Sequence, residues 1–520
     1  MSKRDSILNE YIAFIKKHGR FPKNTELQST RESVRHNFKS YDILKQAAID
    51  TGTIDNYIFD VTLISPRDVA HIKKRLKKFN RLVITTAVSN AKVNMGALNS
   101  IRGFCKHERG HIIVMPATNT GSGDKWTIAP EVRNESVIFY DISLNSNLSI
   151  LGLSANAKTS DPITGLPKLS RSRGSIICAS PKQSLKFVPT GINKLPHAIM
   201  STGAITYPEY KHSAFARSKQ EYIADNDHVM GALIVELDEN DTFHFRQIQF
   251  DKHGGFADLG SYYRGNRKVK YVPSAIVLGD LHSGETDPVV LKATEDISKA
   301  MKVKEWILHD IFTGLSCNPY EMEKRILLSK RAERGELSID REIKGVSDDL
   351  KAMTKHLNKI TVVRSNHDDF INRYLESGAY VNHPYNHRTA LMLALDLLDD
   401  KNPLEEQCRR NGVPKSVKFL GRDESYKIAG VELGQHFDKG QNGAKASLKG
   451  LEESYGACIG GHSHSAGIRG LAYQVGTSTF MQLTYNQGAS SWTHTHCLLY
   501  SNGSRQLIHC INGKFTTRKI

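Results

Sequence analysis

The chain predicts a mixed α/β protein of several domains, and three observations carry that expectation. Its 520 residues exceed what one ordinary core organises, so roughly two to four domains are expected. Its first fifty residues place apolar side chains at helical spacing. From about residue 271 onward, short apolar strands alternate with helical stretches, and each strand ends on Asp, His or Asn. Hydrophobic content of 39% with 24% charged residues fits a globular enzyme rather than a disordered or fibrous chain.

The elements follow in order. Residues 1–55 read as a small helical module. SILNEYIAFIKKHG ends on Gly19 with Pro22 soon after as a stop, and STRESVRHNFKSYDILKQAAID offers two further short helices with a turn near Ser40. The corner Phe38-Lys39-Ser40-Tyr41 resembles the small helical repeat found beside homing endonucleases, with Lys39 where that repeat carries Gly. The resemblance implies a DNA-binding accessory module; a three-helix docking unit is the alternative. Residues 56–270 read as an accessory mixed α/β domain. LVITTAV (82–88), a helix through NAKVNMGALNSIRGFCKHE and HIIVMPA (111–117) make a β-α-β unit, and SVIFYDISL, SIICAS and ALIVEL supply further strands. TNTGSGDK (118–125) is rich in Gly and Ser but lacks the Lys-Ser/Thr of a phosphate-binding loop, so it is expected to be a plain loop. Residues 271–520 carry the regular alternation, with strands at SAIVLGD, EWILHD, KITVVRSNHD, VELGQHF and ACIGGHSH.

Composition narrows the function. No apolar run approaches the ~20 residues needed to cross a bilayer, and MSKRDSILNEYIAF has neither the apolar stretch nor the cleavage site of a signal peptide. Seven scattered cysteines, odd in number and without a CxxC pair, argue for reduced thiols in a cytoplasmic setting and against a thiolate zinc site. The formal charge of +17 favours a polyanionic partner, nucleic acid first. Two runs sharpen this: IKKRLKKFNR (72–81) holds six cations, and YYRGNRKVKY (262–271) interleaves four cations with three tyrosines. Cations with aromatics suit a phosphate backbone flanked by bases, although the first run also fits the solvated face of a helix.

In open α/β sheets, ligands sit beyond the carboxyl ends of the strands. The strand tips here deliver Asp280 and His282, then Asp310, Asn366 with His367, His436, and His462 with His464. A lone Asp-x-His is more often a turn than a site; five such tips in sequence are another matter. Carboxylates, an amide oxygen and imidazoles without thiolate suit two divalent cations, manganese, iron or zinc ahead of magnesium. Two ions side by side can activate a water and stabilise a leaving oxygen.

The ordered blocks D-x-H, HD, SNHD, H and GHSH resemble the calcineurin-like metallophosphoesterase superfamily over about 274–500. That resemblance implies a sandwich of mixed β-sheets flanked by helices. It assigns one ion to Asp280, His282, Asp310 and His464, and a second to Asp310, Asn366, His436 and His462, with Asp310 as the bridge. It makes His367 the general acid, assisted by Asp368. Three departures stand out. HDIFTG lacks the arginine of the phosphoprotein-phosphatase branch, Ser365 replaces the Gly of GNHD, and Asp438 competes with His436 for the fourth block. The long basic N-terminal extension, SNHDDF and the late HTHC strand are similar to the pre-early DNA-degradation proteins of T5-like bacteriophages, which implies a manganese- or magnesium-dependent deoxyribonuclease in the host cytoplasm. The partners expected are then DNA, further copies of the chain in a homo-oligomer and other phage early proteins, with no membrane. A phosphoesterase for a small phosphate ester or nucleotide is the alternative enzyme, and a DNA-binding protein without catalysis is the alternative outside that class.

Overall fold

The computed structural model describes residues 2–520 apart from 19–20, 23, 120–125, 192–193, 211–215, 358 and 484. The expected stop at Gly19 and most of the expected loop at 118–125 therefore lie outside the described residues. The chain is mixed α/β, and it divides into two units. One comprises Met1–Ser184, Ile199–Phe256 and Tyr262–Val269; the other comprises Leu185–Ala198, Ala257–Ser261 and Lys270–Ile520.

The first unit begins with helices Lys3–His18, Arg31–Phe38 and Tyr41–Asp50. Their apolar stripes close on one core through Tyr11, Ile15, Val34, Phe38 and Leu44. Thr30 and Ser40 cap the second and third helices by accepting the N–H groups of Ser33 and Ile43. Between them Lys39 is left-handed at φ 62°, the conformation a glycine would take more cheaply at that corner. A five-stranded sheet follows in the order Phe243–Gln249, Gly231–Leu237, Arg81–Val88, His111–Ala117, Ser136–Val137. Arg81–Val88 and His111–Ala117 pair in parallel across helix Met95–Glu108, so the β-α-β unit is present.

The two basic runs differ in kind. Residues 72–76 end helix Pro66–Leu76, of which Leu76 alone is buried, so its cations stand in solvent. In 262–271 the strand Arg267–Lys270 is exposed throughout. The tyrosines of that run, expected to offer their faces to bases, are engaged elsewhere. Tyr263 is fully buried and stacks on Phe256 at 5.3 Å, the Tyr262 hydroxyl donates to Asp251 Oδ2 at 2.5 Å, and Tyr271 stacks on Tyr500 at 5.3 Å.

The second unit is built on a six-stranded sheet in the order Val417–Phe419, Ile360–Val363, Trp306–His309, Ala275–Val277, Thr495–Leu499, Arg505–His509. The first four strands run parallel, and Thr495–Leu499 pairs antiparallel with both of its neighbours. Ile360–Val363 and Trp306–His309 are buried on both faces, which is why they read as unbroken apolar runs. Helices Pro288–Met301, Ile339–Thr354, Asp369–Glu376 and His387–Leu398 contribute Ile297, Ile343, Phe370 and Leu393 to the same core as Trp306, Leu308 and Val362. A further set of strands runs Val431–Glu432, Cys458–Gly460, Ala472–Gln474, Gly467–Arg469 in order. Among the described residues no helix is long and apolar enough to cross a membrane.

Candidate metal centre

Parallel pairing aims the ends of Ala275–Val277, Trp306–His309 and Ile360–Val363 in one direction. The pairing runs on past the strands: Leu281, His282 and Ser283 donate their N–H groups to the carbonyls of His309, Asp310 and Ile311 at 3.1, 2.7 and 3.0 Å. This lays Asp280, His282 and Asp310 side by side. Val431–Glu432 and Cys458–Gly460, also parallel, lead into His436 and into His462 and His464.

Asp280, His282, Asp310 and His464 form one buried group whose ligand atoms all lie within 4.8 Å of one another. The Nε2 atoms of His282 and His464 are 3.1 Å apart. His464 Nε2 is 3.2 Å from Asp280 Oδ2, and His282 Nε2 is 3.5 Å from Asp310 Oδ2. The remaining three expected ligands adjoin this group. His436 Nε2 stands 3.2 Å from Asp310 Oδ2, Asn366 Oδ1 is 3.1 Å from His462 Nδ1, and the His462 N–H donates to Asp280 Oδ2 at 2.8 Å. Asp438, the rival of His436, is instead paired with Arg422.

The two carboxylates carry the charge a cation would need. Burial by itself raises the Asp310 carboxyl, yet His436 and then His367 outweigh it and hold the group well below the usual carboxylate range. Asp280 is lowered against its own burial, chiefly by His464. Burial opposes charge on His436, but Asp310 and Asp280 lift it to about 9, so this imidazole holds a proton that a bound cation would have to displace. Burial presses His282 down to about 3, leaving a neutral imidazole with a lone pair to give.

Three further features fit a metal here. Asp280 Oδ1 and Asp310 Oδ1 are buried without a hydrogen-bond partner, a costly state unless something positive takes them. All seven cysteines are free and none belongs to the group, so the donors are hard or borderline. The backbone is left-handed at His282, Asp310, His462 and His464, with φ of 46°, 48°, 79° and 58°. Non-glycine residues in that region cost about 1–3 kcal/mol each and gather where function over-determines them.

Gly461 shows how tight the cradle is. A Cβ there would stand 2.1 Å from Asp280 Oδ1 and 3.3 Å from His309 Cβ. Gly461→Ala should fold and yet bind divalent metal about 10–100-fold more weakly, as displaced ligands do; a manganese titration checks it, and unchanged affinity would remove Asp280 from the ligand set.

SNHD departs from expectation in one respect. Asp368 does not hold the His367 ring. His367 Nδ1 lies 2.8 Å from the Thr313 carbonyl, which can only accept, so Nδ1 carries the hydrogen and Nε2 faces outward. Asp368 turns back: its Oδ2 accepts the Ser365 N–H at 2.9 Å while Ser365 Oγ accepts the Asp368 N–H at 3.2 Å. This reciprocal pair closes the turn that precedes helix Asp369–Glu376, and it gives Ser365 a task. Burial, then the charge of Asp310, raises Asp368 to about 7.

Several supporting groups escaped sequence reasoning. Thr313 acts through its carbonyl, which no side chain announces. Glu342 anchors the segment after it, accepting from Leu315 and Ser316 N–H at 2.9 and 3.0 Å. His309 is fully buried with its Nδ1 3.4 Å from His436 Nδ1; its adjacency to Asp310 was the available signal. His496 of the HTHC strand accepts the Gly279 N–H at 2.9 Å and so braces the approach to Asp280.

Over 355 residues the chain is 30% identical to "Protein A1" of Escherichia phage T5, and the match covers 64% of this chain and 62% of that protein. The chain thus spans less than two thirds of the relative. No family model matches the chain, and no solved structure matches it significantly.

Proposed function

We propose that the chain is a two-metal phosphodiesterase of the calcineurin-like metallophosphoesterase type that hydrolyses DNA during phage infection. The observation that carries the reading is the convergence of Asp280, His282, Asp310 and His464 on one buried point with Asn366, His436 and His462 adjoining it. The similarity to a phage T5 protein supports the phage setting, and the charge of +17 supports a polyanionic substrate.

Cations bound there would supply Lewis acidity toward a phosphoryl oxygen and activate a water. Asp280, His282, Asp310 and His464 would hold one, and Asp310, Asn366, His436 and His462 the other, with manganese the first choice and magnesium, iron or zinc compatible with the donors. His367 is fixed by Thr313 so that Nε2 points away from its anchor, and a proton carried there can pass to the departing 3′ or 5′ oxygen. Asp368 shapes the turn that presents His367.

The test is incubation of the protein with plasmid, linear DNA and p-nitrophenyl phosphates, with and without manganese. Metal-dependent loss of DNA is the expected result; turnover of the phosphate esters alone would favour the small-molecule enzyme, and turnover of nothing would favour a binding protein. Recruitment by charge makes its own prediction. DNA affinity should fall with salt by roughly 0.9 in log K per decade for each phosphate neutralised on duplex. Replacing the exposed Lys73, Lys74 and Arg75 with Gln should flatten that slope. An unchanged slope in that variant would take the helix out of the DNA interface.

A further inference from the structure

Two series of aromatic rings lead away from the candidate metal centre. The His282 ring touches His464 at 5.1 Å and His367 at 4.7 Å between centroids. From His464 contact passes to Trp492 at 4.1 Å and from Trp492 to Tyr485 at 5.7 Å. From His367 it passes to Phe370 at 4.6 Å and from Phe370 to Tyr320 at 5.9 Å. Each series ends on a tyrosine held open to solvent, Tyr485 at 53% and Tyr320 at 71% exposure. Tyr320 is not loose: its hydroxyl accepts from Arg373 Nη1 at 2.9 Å, and that guanidinium lies 6.0 Å from the ring centre.

We infer that Tyr485 with Trp492 on one side, and Tyr320 with Arg373 on the other, stack the nucleobases that flank the phosphodiester, so that the site takes unstacked, single-stranded or frayed-end DNA. The inference rests on the phosphodiesterase reading for what lies between the two platforms. The chemistry is sequence-tolerant, because every base has a π-face and an aromatic side chain or a planar cation can cover it. A paired duplex buries those faces in its own stack and leaves only edges to read, which rings of this kind do not exploit. The platforms also answer what the cation-and-tyrosine run at 262–271 left open, since its own tyrosines are engaged inside the fold.

The experiment measures equilibrium binding of the full chain, in EDTA, to a labelled oligothymidylate and to an abasic oligomer of equal length and charge. The wild type should prefer the base-bearing strand by about five- to hundredfold for each stacked base. Tyr320→Ala and Tyr485→Ala should each erode that preference, and Tyr320→Phe and Tyr485→Phe should retain it, because the ring and not the hydroxyl does the stacking. Equal wild-type affinity for the two oligomers would overturn the inference, as would alanine variants that keep the full preference or that weaken both oligomers alike. A wild type that prefers bases but cleaves neither DNA nor any phosphate ester would overturn the phosphodiesterase reading and leave the base platforms standing.

Discussion

Asp310→Asn is expected to end hydrolysis of both DNA and nitrophenyl phosphodiesters while the far-ultraviolet dichroism stays that of the wild type. The side chain is fully enclosed, with Oδ2 3.2 Å from His436 Nε2 and 3.5 Å from His282 Nε2. Its Oδ2 faces His282 of one expected ligand group and His436 of the other, so its charge is placed to offset repulsion between two cations. Asparagine keeps the shape and accepts the left-handed backbone at this position, where φ is 48°. It gives up only the charge. Losing one ion forfeits several kcal/mol of charge stabilisation in the transition state, on the order of 10³ in rate or more. Metal content of the purified variant decides the matter: full manganese occupancy with retained turnover would mean that the bridge is misassigned.

His367→Asn should behave differently. It should keep its metals and its affinity for DNA, and lose on the order of 10²–10⁴ in rate on an unactivated diester. His367 Nδ1 is engaged by the Thr313 carbonyl, so Nε2 is the nitrogen left to carry the proton. The deficit should shrink on a nitrophenyl ester, whose leaving group needs little protonation. Equal slowing on both substrates, or a metal lost, would make His367 a ligand or a positioning group instead of the acid.

What the chain declares in advance, and what it conceals, divides along physical lines. Strand tips are legible because a parallel sheet aligns carboxyl ends, so a reader who finds ITVV before SNHD and WILH before Asp310 can expect the two tips to meet. Main-chain roles are not legible: nothing in a threonine signals that the carbonyl of Thr313 will seat an imidazole. Asp368 misled because adjacency in sequence suggested a partner for His367, whereas reciprocal hydrogen bonds tie it to Ser365, three positions back. Tyr262 and Tyr263 misled for a similar reason. Residues that alternate with cations look available, but on a strand neighbouring side chains face opposite ways, and one face here is core. Tyr320 and Tyr485 carry no local pattern at all, and only the folded chain links them, through Phe370 and Trp492, to the histidines of the candidate site.

The left-handed turns at His282, Asp310, His462 and His464 set this protein against its own improvement. At each of them a glycine would relax the backbone, so a screen for heat-resistant variants of the metal-free chain would tend to reward replacements at these four places. Every such winner would have discarded a side chain of the candidate metal centre. Durability selected without a metal or substrate present would therefore lead away from the proposed activity, and a thermostable form that keeps it has to be sought among metal-loaded proteins screened for turnover.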